Sequence, residues 1–434
     1  MGSPVRFCYH TKPKTRRTTL KKLTPQPEPL SIPPTSSVLD DILREGARRL
    51  LQAALEAEIQ DHLDRHRQVL DSHGHQEVVR NGYHPERVIL AGAGPIPIKQ
   101  PRVDDRALEA RGLPRFTSSV LPKFLRRAPS LDNLIPVLYL QGVSTDDFTE
   151  AFEAILGPDA KGLSANTVVR LKEVWTAEYE QWTKRDLSNS NYVYVWVDGV
   201  YSNARLEGER NCLLVIMGAD VHGNKELIAV YDGIRESKDS WRELLIDLRT
   251  RGLKPDPKLA VCDGALGFQA AAAEVWPTTR IQRCWVHKTA NVLAKLPDSV
   301  QPVAKKLIHE QWMAPTREKA LAAHAQFVET LGPKYPRAVE CLTKDTDDLF
   351  TFYDFPAQHW IHLRTTNPIE STFATVRLRH RKTKGNGTRQ ATLAMVFKLC
   401  RQAEKSWRKL DGFQLIPHVV AGTPFIDGVM ANAA

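Results

Sequence analysis

A chain of 434 residues with 42% hydrophobic and 25% charged positions is too long for one small domain and suggests two or three packed globular units. The 60 Lys and Arg against 50 Asp and Glu leave a net charge of +10, which suits a polyanionic partner, because each phosphate neutralised releases condensed counterions. No run approaches the ~18 to 20 apolar residues of a bilayer span, the basic N-terminus lacks the apolar core of a secretory signal, and the scattered cysteines argue against a disulfide framework, so the expected setting is reducing and cytoplasmic.

In residues 1–37, Lys12, Lys14, Arg16, Arg17, Lys21 and Lys22 precede a Pro-rich run from Pro25 to Pro34. Such a segment cannot bury enough surface to fold and is expected to be a disordered arm. From Leu39 onward, Leu43, Ala47, Leu51, Leu55, Ile59 and Leu63 recur every four residues and predict a long helix with one apolar face. Arg80-Asn81-Gly82-Tyr83 reads as a turn, and the alternation through Ile96 and Ile98 as a small hairpin, completing a region 38–125. Residues 126–186 hold three helical pieces: Asp132 to Leu140 with Pro136 inside it, Asp146 to Leu156, and one capped by Ser164 with Val168, Leu171, Trp175, Tyr179 and Trp182 along one side. Short helices joined by Gly-containing turns suit a helix-turn-helix DNA reader, and equally any small helical bundle.

Residues 187–297 change character. Tyr192 to Val197, Asn211 to Ala219 and Leu227 to Tyr231 are β-branched and aromatic runs that suit strands buried on both faces. A helix from Ser237 to Arg251, a strand from Leu259 to Cys262, a helix from Ala265 to Val275 and a strand from Ile281 to Trp285 follow. Three consecutive strands, then helix, strand, helix, strand, is the ribonuclease-H-like order. The predicted class is therefore α/β: a ribonuclease-H-like mixed sheet flanked by helices, with a mainly helical N-terminal DNA-binding region. Residues 298–362 carry helical spacing only and read as an all-helical insertion; residues 363–434 supply the last part of the catalytic domain and a C-terminal helix.

Two acids each close an apolar strand: Asp198 in Val197-Asp198-Gly199 and Asp263 in Val261-Cys262-Asp263-Gly264. Sites collect at the carboxyl ends of strands in α/β sheets, although Asp263 alone would serve as a helix N-cap. Glu370, in Asn367-Pro368-Ile369-Glu370-Ser371, fits a capping box with Asn367 as cap. Together the three acids supply the hard oxygen ligands that two Mg²⁺ ions need for phosphodiester transfer, with Mn²⁺ as a substitute. Arg377, Arg379, Arg381, Lys382, Lys384 and Arg389 follow Glu370, on a helix whose Ile369, Phe373 and Val376 would hold it to the sheet. That run reads as phosphate-binding, or as a solvated charged face. Cys284 and His287 have the spacing of half a zinc site, but no second pair completes the four ligands of a structural zinc. His287, with Arg283 and Lys288 beside it, could instead approach a scissile phosphate.

These motifs, in order, resemble the Mutator-like family of bacterial insertion-sequence transposases. Asp198-Gly199 with Arg205 resembles the first-acid motif, and Val261-Cys262-Asp263-Gly264 with Gly267-Phe268 the second. Arg283-Cys284-Trp285-Val286-His287-Lys288 resembles the Cys-x-x-His signature, and Asn367-Pro368-Ile369-Glu370-Ser371 with Arg377 the third-acid helix. The resemblance runs from about Leu39 to beyond residue 410, leaving the basic arm outside it, and the segment Val200 to Ala204 is more polar than the family's pattern. It implies a catalytic domain split by the helical insertion, with Asp198, Asp263 and Glu370 as catalytic metal ligands. It further implies binding to terminal inverted repeats and target DNA by a homodimer or larger assembly, and a cytoplasmic, nucleoid-associated place in a bacterium. A regulator that keeps the fold without the chemistry, or a structure-selective nuclease, would share the scaffold.

Overall fold

The computed structural model describes residues 38–141, 143, 147–156, 165–203, 210–233, 235–383 and 388–431. The N-terminal arm and the Ser164 cap lie outside the described residues. Helix α1 (Val38–Arg65) covers the predicted span. Leu55 joins Ile89, Ile96, Ile98 and Leu121 in a small core against which Ala47 and Leu51 also pack, whereas Leu43 and Leu50 are 52% and 75% exposed.

Four short strands follow, β1 (Val79–Tyr83), β2 (Arg87–Ala91), β3 (Gly94–Ile98) and β4 (Pro101–Asp104). The predicted hairpin is β2–β3, and β1 pairs antiparallel with β4 outside it in sequence. Arg80-Asn81-Gly82-Tyr83 is therefore strand rather than turn. The turn-like signal reflects an irregular register between Arg80 and Tyr83, where Gly82 takes a φ of +65°. A short helix α2 (Arg106–Ala110) precedes the three predicted helices, α3 (Pro129–Gln141), α4 (Asp147–Leu156) and α5 (Ala165–Thr183). Pro136 lies inside α3, and Tyr139, Phe148, Phe152 and Trp175 from these helices join the main core.

The central sheet contains β5 (Tyr192–Asn203), β6 (Arg210–Asp220), β7 (Lys225–Gly233), β8 (Leu259–Cys262) and β9 (Arg280–Arg283), in the spatial order β7-β6-β5-β8-β9. The first three are antiparallel, and β8 and β9 run parallel to β5. Alternation along β5 divides its side chains. Val195 and Val197 face α6 (Lys238–Thr250) and α7 (Leu266–Val275), packing with Trp241, Leu245 and Phe268. Tyr194 and Trp196 face the other layer. With both faces covered, the strands read as unbroken apolar runs rather than as alternating ones.

The second layer begins with α8 (Trp285–Leu293). The helical block α9 (Gln301–Met313), α10 (Arg317–Leu331), α11 (Pro336–Thr343), α12 (Thr346–Leu349) and α13 (Trp360–Leu363) lies where the sequence predicts an all-helical region. Then come α14 (Asn367–Thr383), α15 (Arg389–Glu404), α16 (Ile416–Val420) and a terminal strand pair, β10 (Phe425–Ile426) and β11 (Val429–Met430). Buried polar groups tie the block to the sheet. The Gln282 amide donates to the Leu349 carbonyl at 3.0 Å and accepts from the Phe352 N–H at 2.8 Å, and Trp285 Nε1 donates to the same Leu349 carbonyl at 2.9 Å. Lys288 has no exposed surface and pairs with Asp345 at 2.5 Å.

Cys212, Cys262, Cys284, Cys341 and Cys400 are free thiols. Among the described residues no helix is long and apolar enough to cross a membrane.

Candidate active site

Strand register brings the first two acids together. Val197 of β5 pairs with Cys262 of β8, so Asp198 and Asp263, each the next residue on parallel neighbours, stand side by side. By alternation Asp198 falls on the face of Tyr194 and Trp196, which is the face of α14. It is only 8% exposed, and its Oδ1 accepts the Gly199 N–H at 2.8 Å. Asp263 Oδ1 accepts the Ala265 N–H at 2.9 Å. It is not the cap of α7: Ala265 occupies that position without a side-chain bond.

Gly264 has φ +85°, a conformation that L side chains rarely adopt, and a Cβ there would lie 1.5 Å from Arg283 Nη1. The Asp263 turn is thus closed over a buried arginine. Arg283 is 5% exposed, with Nε 3.4 Å from Asp345, so it is a packed cation rather than one displayed to a DNA backbone. Gly264→Ala is expected to destabilise the protein by about 1–3 kcal/mol through backbone strain alone, and more through displacement of Arg283. A thermal melt monitored by circular dichroism checks this, and an unchanged melting temperature would contradict it.

Glu370 reaches the same place from α14, which Ile369, Phe373 and Val376 hold against the sheet with 1% exposure or less. The approach to that helix is pinned to β5 and to the start of α8: Trp196 Nε1 donates to the His362 carbonyl at 2.8 Å, and the Trp285 N–H to the Arg364 carbonyl at 3.0 Å. The anticipated capping box is replaced by a different start. Asn367 is already helical, and the Thr366 carbonyl accepts the N–H groups of Ile369 and Glu370, both at 3.0 Å. The Thr366 hydroxyl donates to Glu370 Oε1 at 2.6 Å and lies 3.3 Å from His287 Nδ1. Its backbone N–H donates to Cys284 Sγ at 3.3 Å. The Cys-x-x-His pair therefore surrounds Thr366 and fixes the helix start that carries Glu370. The ligand atoms of Cys284, His287 and Glu370 all lie within 4.8 Å of one another.

A fourth carboxylate, Glu236, completes the cluster; it carries no sequence signal, since it neither ends a strand nor caps a helix. Burial, the negative charge of Asp263, and then Glu236 and Glu370, push Asp198 well above the usual carboxylate range, with His287 opposing. Burial and the Asp263 charge raise Glu236 to about 7, against the Tyr201 hydroxyl and His287. Burial works against a charged His287, yet Cys284, Asp198 and Glu370 hold it up at about 9. Among the described residues no Lys or Arg forms an ion pair with Asp198, Asp263 or Glu236. These acids, paired with no Lys or Arg among the described residues and balanced only in part by His287, offer hard oxygen donors that fit divalent ions such as Mg²⁺ or Mn²⁺. Cys284, which has no exposed surface and is engaged by Thr366, does not fit as an open ligand for such ions.

Of the basic run, Arg377 is exposed on α14. Arg379, Arg381 and Lys382 lie on the same helix, their side chains outside the described residues, as is Lys384. Arg389 does not belong with them: it begins α15 and makes a two-point pair with Asp232 of β7, both contacts at 3.0 Å.

Residues 18–410 match the family described as Transposase, Mutator family. The chain belongs to the Mutator family of transposases. The transposase for insertion sequence element IS6120 of Mycolicibacterium smegmatis is 51% identical over 298 residues, covering 69% of this chain and 92% of that protein. The transposase for insertion sequence element IST2 of Acidithiobacillus ferrooxidans is 48% identical over 283 residues, covering 65% of this chain and 96% of that protein. A more distant member, the transposase for insertion sequence element ISRM5 of Rhizobium meliloti, is 26% identical over 385 residues, 86% of this chain and 90% of that protein. The family match begins at residue 18, upstream of Leu39, so part of the basic, Pro-rich arm falls within the family's span, contrary to the sequence expectation.

Proposed function

We propose that this transposase binds the terminal inverted repeats of an insertion sequence, cleaves the element's ends and joins the freed 3′-hydroxyls to target DNA, using Asp198, Asp263 and Glu370 to hold two Mg²⁺ ions. One observation carries the reading. Strand register sets Asp198 beside Asp263, and α14 brings Glu370 to the same acid cluster, around the buried Asp198, after the whole helical block has intervened. Three antiparallel strands followed by two parallel ones also support a ribonuclease-H-like catalytic domain, with that block as its insertion.

Asp198, Asp263 and Glu370 would hold the divalent ions, whose chemistry when bound is activation of the attacking oxygen and stabilisation of the leaving one. The chain's own residues prepare that arrangement. The strand ends hold Asp198 and Asp263 at fixed spacing. The Thr366 hydroxyl fixes one Glu370 oxygen, and His287, protonated at neutral pH, offsets part of the negative charge. The exposed Arg377, with Arg379, Arg381, Lys382 and Lys384 further along, would take the DNA backbone as it leaves the site. The helices of region 126–186 would read the inverted repeats, and two or more copies would pair the ends.

The test is a reaction of the purified full-length chain with DNA carrying the element's inverted repeats. Mg²⁺ or Mn²⁺ is expected to give end cleavage and strand-transfer products, both abolished by EDTA. Cleavage without joining would mark a nuclease, and binding without either reaction a regulator.

A further inference from the structure

Glu236 lies in the segment joining β7 to α6, and two glycines of the acid motifs make room for it. A Cβ on Gly199, next to Asp198, would lie 2.9 Å from the Glu236 Cδ and 3.0 Å from each of its carboxylate oxygens. A Cβ on Gly267, in the first turn of α7, would lie 2.9 Å from the Glu236 carbonyl oxygen and 2.8 Å from the Ser237 carbonyl carbon. Neither glycine has a positive φ, so neither is required by backbone conformation. What requires them is close approach: one admits the carboxylate of Glu236, the other its backbone.

The usual structural roles for a half-buried acid are taken by other residues. Ser237 caps α6, its hydroxyl accepting from the Ser240 N–H at 3.2 Å. No Lys or Arg among the described residues pairs with Glu236, and its side-chain hydrogen bond is a long one, from the Tyr201 hydroxyl to Oε2 at 3.4 Å. Its carboxylate lies against Gly199, the residue next to Asp198, and feels the charge of Asp263. Resting on the reading of Asp198, Asp263 and Glu370 as a metal centre, we propose that Glu236 is a fourth carboxylate of that centre, an oxygen ligand to the divalent ion between Asp198 and Asp263. A hard cation takes six or more oxygen ligands, so a fourth acid displaces one water without crowding the site. The proposal gives a reason for the glycine that follows Asp198 and for Gly267 in the first turn of α7.

Mn²⁺ titration of the purified full-length protein, read by electron paramagnetic resonance, tests this apart from activity. Asp198→Asn is expected to lose tight Mn²⁺ binding. Glu236→Gln and Glu236→Ala are expected to weaken it about tenfold or more, and Glu236→Asp, which keeps a shorter carboxylate, to recover part of the loss. The Mg²⁺ concentration giving half-maximal cleavage should rise in the same order, with inverted-repeat binding unchanged. A purely structural Glu236 would lower the melting temperature while leaving Mn²⁺ affinity at the wild-type value, and that result overturns the proposal. Wild-type Mn²⁺ affinity in Asp198→Asn itself would overturn the metal centre as a whole, a failure distinguishable from that of Glu236 alone.

Discussion

Asp198→Asn is expected to abolish strand cleavage and, at the same time, to raise the melting temperature of the metal-free protein. Loss of a shared metal ligand should reduce the rate by at least about 10³-fold, on the order of 4 kcal/mol of transition-state stabilisation. The stability gain follows from burial. Asp198 is 8% exposed and faces the negative charges of Asp263, Glu236 and Glu370, so the folded state disfavours its ionised form. Its folded pKa is raised, the folded state binds the extra proton, and the penalty is absent below the unfolded pKa and grows as pH rises above it. At neutral pH the neutral amide should therefore stabilise, by roughly 0.5–2 kcal/mol as for other relieved active-site strains, which is roughly 2–4 °C per kcal/mol in a large domain. The gain should vanish near pH 4, and saturating Mn²⁺ should stabilise the wild type but not the variant. A variant that melts lower than wild type in EDTA at pH 7 would show that the acid cluster is compensated by other means.

The second large effect lies at the join between the helical block and the sheet. Asp345 is the ion-pair partner of Lys288, which has no exposed surface, and lies 3.4 Å from Nε of the buried Arg283. Asp345→Ala would leave two buried cations unpaired, at a cost of about 3–5 kcal/mol. Differential scanning calorimetry should show a large drop in melting temperature. Adding Lys288→Met should restore much of it, because an apolar side chain of similar length carries no desolvation penalty. Equal melting temperatures for wild type and Asp345→Ala would mean that water reaches Lys288.

Elements whose signal is local were legible in the sequence. The strands around Asp198 and Asp263 announce themselves because both sheet faces are covered, leaving Val193 to Val197 and Leu259 to Cys262 without a charged side chain at any position. The helices follow from apolar spacing, and Ile369, Phe373 and Val376 lie where that spacing puts them. What escaped depends on partners distant in sequence. Arg389 looks like one more cation of the basic run, but Asp232 of β7 claims it. Arg283 looks like a phosphate ligand, but Gly264 closes over it. Glu370 looks like a capping residue, and the side-chain contact that holds it comes from Thr366, one position before the expected cap. Glu236 has no local mark at all; its trace is the pair of glycines across from it, each of which reads as an ordinary turn residue until the fold brings the segments together.

The central claim is that these carboxylates hold divalent ions, and the most direct measurement is anomalous diffraction at the manganese edge from crystals of the full-length protein grown with Mn²⁺. The account expects two peaks about 3.5–4 Å apart, with Asp198 touching both and Asp263 and Glu370 at either side. A single peak on Cys284 and His287, or none within reach of Asp198, would contradict it.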